Sequence, residues 1–363
     1  MYQAPPIPSD VVSLADYEAA ARQRISAQAA AYVGGGAADE LTLRANRDAF
    51  DRLRLQSRVL AAMPEPHTRL TLFGQALDFP ILLAPVAFQR LVHPEGELAT
   101  AFGAAAIGAP MVVSTQASHG LEQIAGVARA PLWFQLYVQH DRGFTEALLR
   151  RAEAAGYRAI VVTVDAPVSL RNREQRAGFR LPPGIEAVNL RGLPPMPPNR
   201  ASPAESEVFR GLLDGAPTWQ DIAWLRAATR LPLLLKGIMA PADAARAVEL
   251  GVDGLIVSNH GGRSLDTLPA SIEALPRIAE TVAGRVPLLL DGGIRRGTDV
   301  LKALALGARA VLIGRPYIYA LAVGGPVGVI HALKILRTEL EIAMALTGRP
   351  DLDSIDRSVL WEG

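Results

Sequence analysis

Eight short apolar runs divide this chain, and their spacing constrains the fold more than any other feature. They cover residues 80–85, 111–114, 132–136, 159–164, 232–236, 254–258, 286–290 and 310–313. Each is continuously apolar rather than alternating, as expected of strands buried on both faces. Amphipathic stretches of helical period lie between them, at 96–107, 144–155, 241–250 and 298–306. Eight strands alternating with helices predict a parallel (β/α)8 barrel, with an open doubly wound sheet as the alternative. The 363 residues, half of them hydrophobic, are enough to fill such a barrel as one domain. Two segments fall outside the rhythm. Residues 1–79 read as a helical cap with a short hairpin ahead of a barrel at 80–350. Residues 181–217, rich in proline, are too long for an ordinary strand–helix loop and are expected to form a mobile active-site lid.

Composition removes several functional classes. With 37 basic and 36 acidic residues the net charge is +1, which gives no footprint for nucleic acid or a membrane surface. There is no cysteine, so disulfides, thiolate metal sites and cysteine nucleophiles are excluded. The N-terminus, MYQAPPIPSDVVSL, lacks the basic and apolar regions of a signal peptide, and a cytoplasmic protein is expected. No apolar run reaches the roughly 18 residues that span a bilayer. The richest region, 303–336, is interrupted by Arg309, Arg315 and glycines, and reads as buried strand plus helix.

In such a barrel, chemistry belongs at the C-terminal ends of the strands. The runs deliver Pro85, Val86 and Ala87; Ser114; Gln135 and Tyr137; Thr163 and Asp165; Lys236; Ser258 with His260 and Arg263; Asp291, Gly292 and Gly293; and Gly314 with Arg315. DGGIRRG and IGRP, after the last two runs, combine glycines that admit backbone N–H groups to a phosphate with arginines that bind it bidentately. In SNHGGRSLD, His260 supplies a base that titrates near neutrality and Arg263 a grip for a carboxylate. That pair suits a substrate with a carboxylate beside a C–H or O–H that must lose a proton. Lys236 closes an apolar run and is either a Schiff-base nucleophile or a fixed cation beside an anionic cofactor. The other histidines read as structural, with His119 at a helix-capping position. They show no metal-ligand spacing, and no metal is expected.

At SNHGGRSLD the chain closely resembles the FMN-dependent 2-hydroxy acid oxidase/dehydrogenase family, which includes glycolate-, lactate- and mandelate-oxidising enzymes. The resemblance extends through AYVGGGAADELTL, APVAFQRLVHPEGE, WFQLYV, TVDAP, LLLKGI, DGGIRRGTDVLKALALGA and IGRP, from about Tyr32 to the end. It implies FMN as cofactor, an (S)-2-hydroxy acid as substrate, and a homotetramer. It implies His260 as general base, Asp165 as the group orienting its imidazole, and Arg263, Arg171 and Tyr32 as the holders of the substrate carboxylate. Tyr137 would bond the substrate hydroxyl, and Lys236 would stand beside the flavin N1/O2 edge. Pro85, Val86, Ala87, Ser114, Gln135, Thr163 and Ser258 would contact the flavin or ribityl chain. Asp291, Gly292, Gly293, Ile294, Arg295, Gly314 and Arg315 would hold the ribityl chain and phosphate.

Three departures from the family pattern bear on function. The segment from Asp165 to Phe179 is one residue short. Counting back from Phe179 selects Arg171, whereas counting forward selects Asn172, with Arg173 the next candidate. The motif reads GGRSLD where GGRQLD is common, and Gln116 stands where some relatives carry a bulky aromatic near the substrate side chain. With no haem segment or membrane-spanning insertion read in the chain, O2 is the expected electron acceptor, with a quinone-type carrier as the alternative. An FMN-dependent isomerase would call for a diphosphate and metal site without the His260/Arg263 pair. A non-catalytic scaffold would have lost the base, the lysine or the arginine.

Overall fold

A computed structural model describes residues 6–195, 206, 208–209, 213 and 215–361. The eight apolar runs become β3 (Ile81–Leu83), β4 (Met111–Ser114), β5 (Leu132–Leu136), β6 (Ile160–Thr163), β7 (Leu233–Ile238), β8 (Gly254–Val257), β9 (Leu288–Asp291) and β10 (Ala310–Ile313). All pair in parallel with their sequence neighbours, and β10 pairs with β3 through Val311–Ile81, Leu312–Leu82 and Ile313–Leu83, closing the barrel. Nearly every strand residue is buried, as continuous apolar runs require; the one partly exposed position is Gly237. The open-sheet alternative is thereby replaced by closure.

Helices return the chain between strands: α4 (Gly96–Ala106), α5 (Leu121–Val127), α6 (Arg142–Ala154), α8 (Trp219–Ala228), α9 (Pro241–Glu249), α10 (Ser271–Val282) and α11 (Gly297–Ala305). A short α7 (Asn172–Arg176) lies in the long β6–α8 connection. The last segment, α12 (Arg315–Thr347), is long and apolar enough to cross a membrane by length and composition. It is two helices in series, broken at Gly325 (φ 55, ψ −141) ahead of Pro326. Its buried face packs on α4, α11 and the N-terminal α1 (Leu14–Arg22).

The N-terminal region contributes α1, α2 (Ala27–Gly34), α3 (Leu41–Arg52) and an antiparallel hairpin of β1 (Leu70–Leu72) and β2 (Gln75–Leu77). The hairpin turns on Phe73 and Gly74, both left-handed, which matches strand twist. Phe73 packs edge-on against Trp133 of β5 and close to Gly254 of β8, while Trp133 Nε1 donates to Gln75 Oε1 at 3.1 Å. The hairpin therefore covers the N-terminal mouth of the barrel.

Of the proline-rich connection, residues 181–195 lie over neighbouring loops. Val188 N donates to Ala117 O, and the Asn189 amide oxygen accepts from Leu121 N at 2.9 Å. The expected lid's remainder, 196–205, 207, 210–212 and 214, lies outside the described residues.

Candidate active site

The C-terminal ends of the eight strands enclose one cavity of about 380 Å³, a size suited to a cofactor or small molecule. Its wall includes Tyr32 from α2; Pro85, Val86 and Ala87 after β3; Ser114, Gln135, Tyr137 and Thr163 from β4 to β6; and Arg171 before α7. The other side is formed by Lys236, His260, Arg263, Asp291, Gly292, Gly293, Ile294, Arg295, Gly314 and Arg315. Of the expected site residues only Asp165 and Ser258 stand behind the lining rather than in it.

Both act through the lining. His260 Nδ1 meets Asp165 Oδ1 at 2.8 Å. Asp165 approaches because β7 shifts register between Lys236 and Ile238, at Gly237 (φ 112). A Cβ on Gly237 would lie 2.4 Å from the Asp165 Cβ, so this bulge needs glycine. His260 itself has φ 57, a conformation costly for a residue with a Cβ and tolerated where the surroundings fix it. Its backbone N–H donates to Ser258 Oγ at 3.1 Å. Ser258 Oγ also accepts from Lys236 Nζ at 2.9 Å and donates to Asp291 Oδ1, while Lys236 Nζ lies 3.0 Å from Asp291 Oδ2.

The electrostatics follow from this packing. Burial pushes the His260 pKa below its ordinary value, against the opposing pull of Asp165, so the imidazole is neutral and basic near neutral pH. Burial alone would raise Asp165; His260 and Lys236 outweigh it and keep the carboxylate ionised. Burial likewise opposes the charge on Lys236, but Asp291 and Asp165 hold its pKa above the usual lysine value. Lys236 is thus a buried, paired cation, which favours the fixed-charge reading over a free amine nucleophile.

At the β9–β10 end, Arg295 donates to Ile294 O, and Arg315 donates to the carbonyls of Val33, Gly261 and Gly35. Among the described residues neither has a carboxylate partner in hydrogen-bond range. Burial, reinforced by Arg263, pulls the Arg315 pKa down to about 9. Two recessed guanidiniums beside glycine turns suit a phosphate dianion, which would relieve both. The Gln135 Nε2 group is buried without a partner, and a ring carbonyl would satisfy it. The residues present therefore fit FMN.

The α3 helix braces this half of the site. Asn46 and Asn259 exchange two buried amide hydrogen bonds at 2.9 and 2.8 Å, and Asn259 Oδ1 also accepts from Gly262 N. Arg47 Nη1 donates to Gly293 O at 2.7 Å and pairs with buried Asp299. A Cβ on Gly293 would fall 2.1 Å from Asn46 O. In return Asp266 caps α3, accepting from Thr42 N at 2.8 Å.

Sequence signatures now decide the family. The signature described as FMN-dependent dehydrogenase matches residues 21–362. The chain belongs to the FMN-dependent dehydrogenase family. It is 48% identical over 360 residues to an L-lactate oxidase of Nostoc sp., covering 97% of this chain and 98% of that protein. It is 41% identical to glycolate oxidase of Spinacia oleracea, covering 98% and 97%. The crystal structure of mandelate oxidase with (S)-2-phenylpropionate superposes with a TM-score of 0.87 at 42% identity, covering 96% and 98%.

As an FMN-dependent dehydrogenase, the protein uses FMN as its cofactor. Within that frame the short segment after Asp165 is resolved by geometry: Arg171 lines the cavity, Asn172 opens α7, and Arg173 pairs with Glu40 on the far side. His119 does not cap a helix. Gly120 is the N-cap of α5, and His119 Nδ1 meets the fully buried Glu97 at 3.0 Å. Sequence reasoning missed Phe88, Ser169 and Glu174 in the lining. Phe88 directly follows the expected 85–87 and was within reach. Nothing in RNREQR separates Glu174 from an ordinary solvated helix.

Proposed function

We propose that the protein oxidises an (S)-2-hydroxy acid to the 2-oxo acid and passes the electrons to O2, giving H2O2. The observation that carries this reading is the neutral His260, backed by Asp165, in the same cavity as the Arg171/Arg263 pair. The guanidiniums hold the substrate carboxylate, with Tyr32 beside them; Arg263 lies over the Tyr32 ring at 5.2 Å from its centroid. Tyr137 hydrogen-bonds the substrate hydroxyl. Burial pushes its phenol pKa up, so it stays a neutral donor. His260 takes the substrate's proton on Nε2, and Asp165 stabilises the imidazolium through Nδ1. Bound FMN would supply the acceptor for the substrate's two electrons. Lys236 presents a fixed positive charge to the cofactor.

The oxidase assignment is supported by the relatives, which are named as oxidases of lactate and glycolate. The substrate side chain faces Gln116 and Phe88, which line the same cavity. The same reading takes the protein as a cytoplasmic homotetramer, to be checked by sedimentation and cell fractionation.

The test is oxygen uptake and peroxide formation in air with glycolate, (S)-lactate and (S)-mandelate, set against quinone reduction under argon. Peroxide formed in step with oxygen uptake supports the proposal. Turnover with quinone alone makes the protein a dehydrogenase, and no turnover with any acceptor contradicts the hydroxy-acid reading.

A further inference from the structure

Glu174 is a carboxylate that the reaction outlined above does not use, yet it lines the cavity. A single oxygen of it, Oε1, accepts from Arg171 Nη1 at 3.1 Å and from Arg263 Nη2 at 3.2 Å. All three side chains are largely withdrawn from solvent, with exposures of 15% for Glu174, 21% for Arg171 and 14% for Arg263. Solvent screening between them is correspondingly weak.

The carboxylate is held there from both sides. Arg171 Nε donates to Ser169 Oγ at 3.0 Å, and Arg263 Nη1 donates to the carbonyls of Tyr32 and Gly35. One residue earlier on α7, Arg173 pairs with Glu40 of the N-terminal region, and Glu40 Oε1 accepts from Gly36 N at 2.9 Å. Among the described residues, Arg171 Nη2 and Arg263 Nε make no hydrogen bond to the protein, so each guanidinium retains a donor for a second carboxylate.

Two guanidiniums against one carboxylate leave a single positive charge at this end of the cavity. A monocarboxylate neutralises it. A dicarboxylate leaves a negative charge uncompensated in a poorly solvated site, beside Glu174 itself. We propose that Glu174 is a specificity-determining residue that confines the site to 2-hydroxy acids bearing one carboxylate. This rests on reading the cavity as a 2-hydroxy acid site.

The test compares malate, a 2-hydroxy dicarboxylate, with (S)-lactate, in the FMN-loaded wild type and in Glu174→Gln. The wild type is expected to favour lactate in kcat/KM by at least roughly a hundredfold, and Glu174→Gln to narrow that ratio by about tenfold or more, through KM for malate. Oxalate binding, followed by perturbation of flavin absorbance, is expected to tighten relative to acetate in the variant. Glu174→Asp, which keeps the charge, is expected to retain the wild-type preference. A wild type that oxidises malate as well as lactate overturns the proposal without any variant. A Glu174→Gln enzyme with an unchanged ratio overturns it also, and Glu174→Ala serves the same comparison if the glutamine variant does not fold. Failure of the underlying reading looks different: no 2-hydroxy acid, with one carboxylate or two, then reduces the wild-type flavin.

Discussion

The cavity has two walls built differently. On the β8–β10 side, His260, Gly293 and Arg295 sit on loops fastened to α3 by the buried Asn46–Asn259 amide pair and by the partly exposed Arg47, which bonds Gly293 O and the buried Asp299. On the β6 side, Arg171 and Glu174 sit on and before a helix of five residues with no buried member, tied by partly exposed ion pairs. The first wall is rigid because each of its polar groups would be costly to leave unpaired. The second is held by ion pairs among half-buried charges rather than by packed side chains, so its geometry depends on several charges acting together. On the proposed reading, proton transfer belongs to the first wall, and the carboxylate is gripped from both, by Arg263 of the first and Arg171 of the second.

Asp165 joins the two walls, and its loss has the largest expected effect. Asp165→Asn removes the charge that supports His260 as a proton acceptor, and kcat is expected to fall by roughly 10²–10⁴ with FMN still bound. Stopped-flow flavin reduction measures it; a fall under tenfold would separate the two walls entirely. Asn46→Ala leaves the Asn259 amide short of its buried partners, and is expected to cost about 1–3 kcal/mol of stability and to weaken FMN binding. Denaturant titration and cofactor release read both quantities, and an unchanged cofactor affinity would show that α3 does not brace the rigid wall.

The strand pattern was legible because a doubly buried strand must be apolar throughout, and all eight runs reappear within a few residues of the observed bounds. His260, Arg263 and the glycine turns were legible because each lies just past a strand end, and Lys236 because it is the one charge in an apolar strand run. The β6 side was not. Counting from Asp165 and counting from Phe179 gave different residues, and only the backbone path settled that Arg171 enters the cavity while Arg173 leaves it. Glu174 was invisible because its neighbours are as charged as it is. The bulge that admits Asp165 leaves a trace in sequence, Gly237 in LLLKGI, but a glycine after a strand serves equally well in an ordinary tight turn.

Smaller effects sharpen the contrast. Because burial sets the His260 pKa below its ordinary value of 6.5, the base is neutral above that pKa and protonated below it. The kcat/KM profile is therefore expected to be flat at neutral pH and to fall on the acid side, with a midpoint below the ordinary histidine value; a midpoint above it would contradict the assignment. Smallest of all, Arg173→Ala removes a partly exposed ion pair with Glu40, and is expected to change KM by no more than about fivefold at unchanged kcat, by steady-state assay.

The most direct test of the central claim, that His260 takes a proton from a bound 2-hydroxy acid, is anaerobic mixing of FMN-loaded wild type and His260→Gln with the same substrate panel while the flavin absorbance is followed. The account predicts that at least one substrate bleaches the wild type, and that His260→Gln retains FMN and binds that substrate but bleaches at least about 10³-fold more slowly. Bleaching of His260→Gln at the wild-type rate would contradict it.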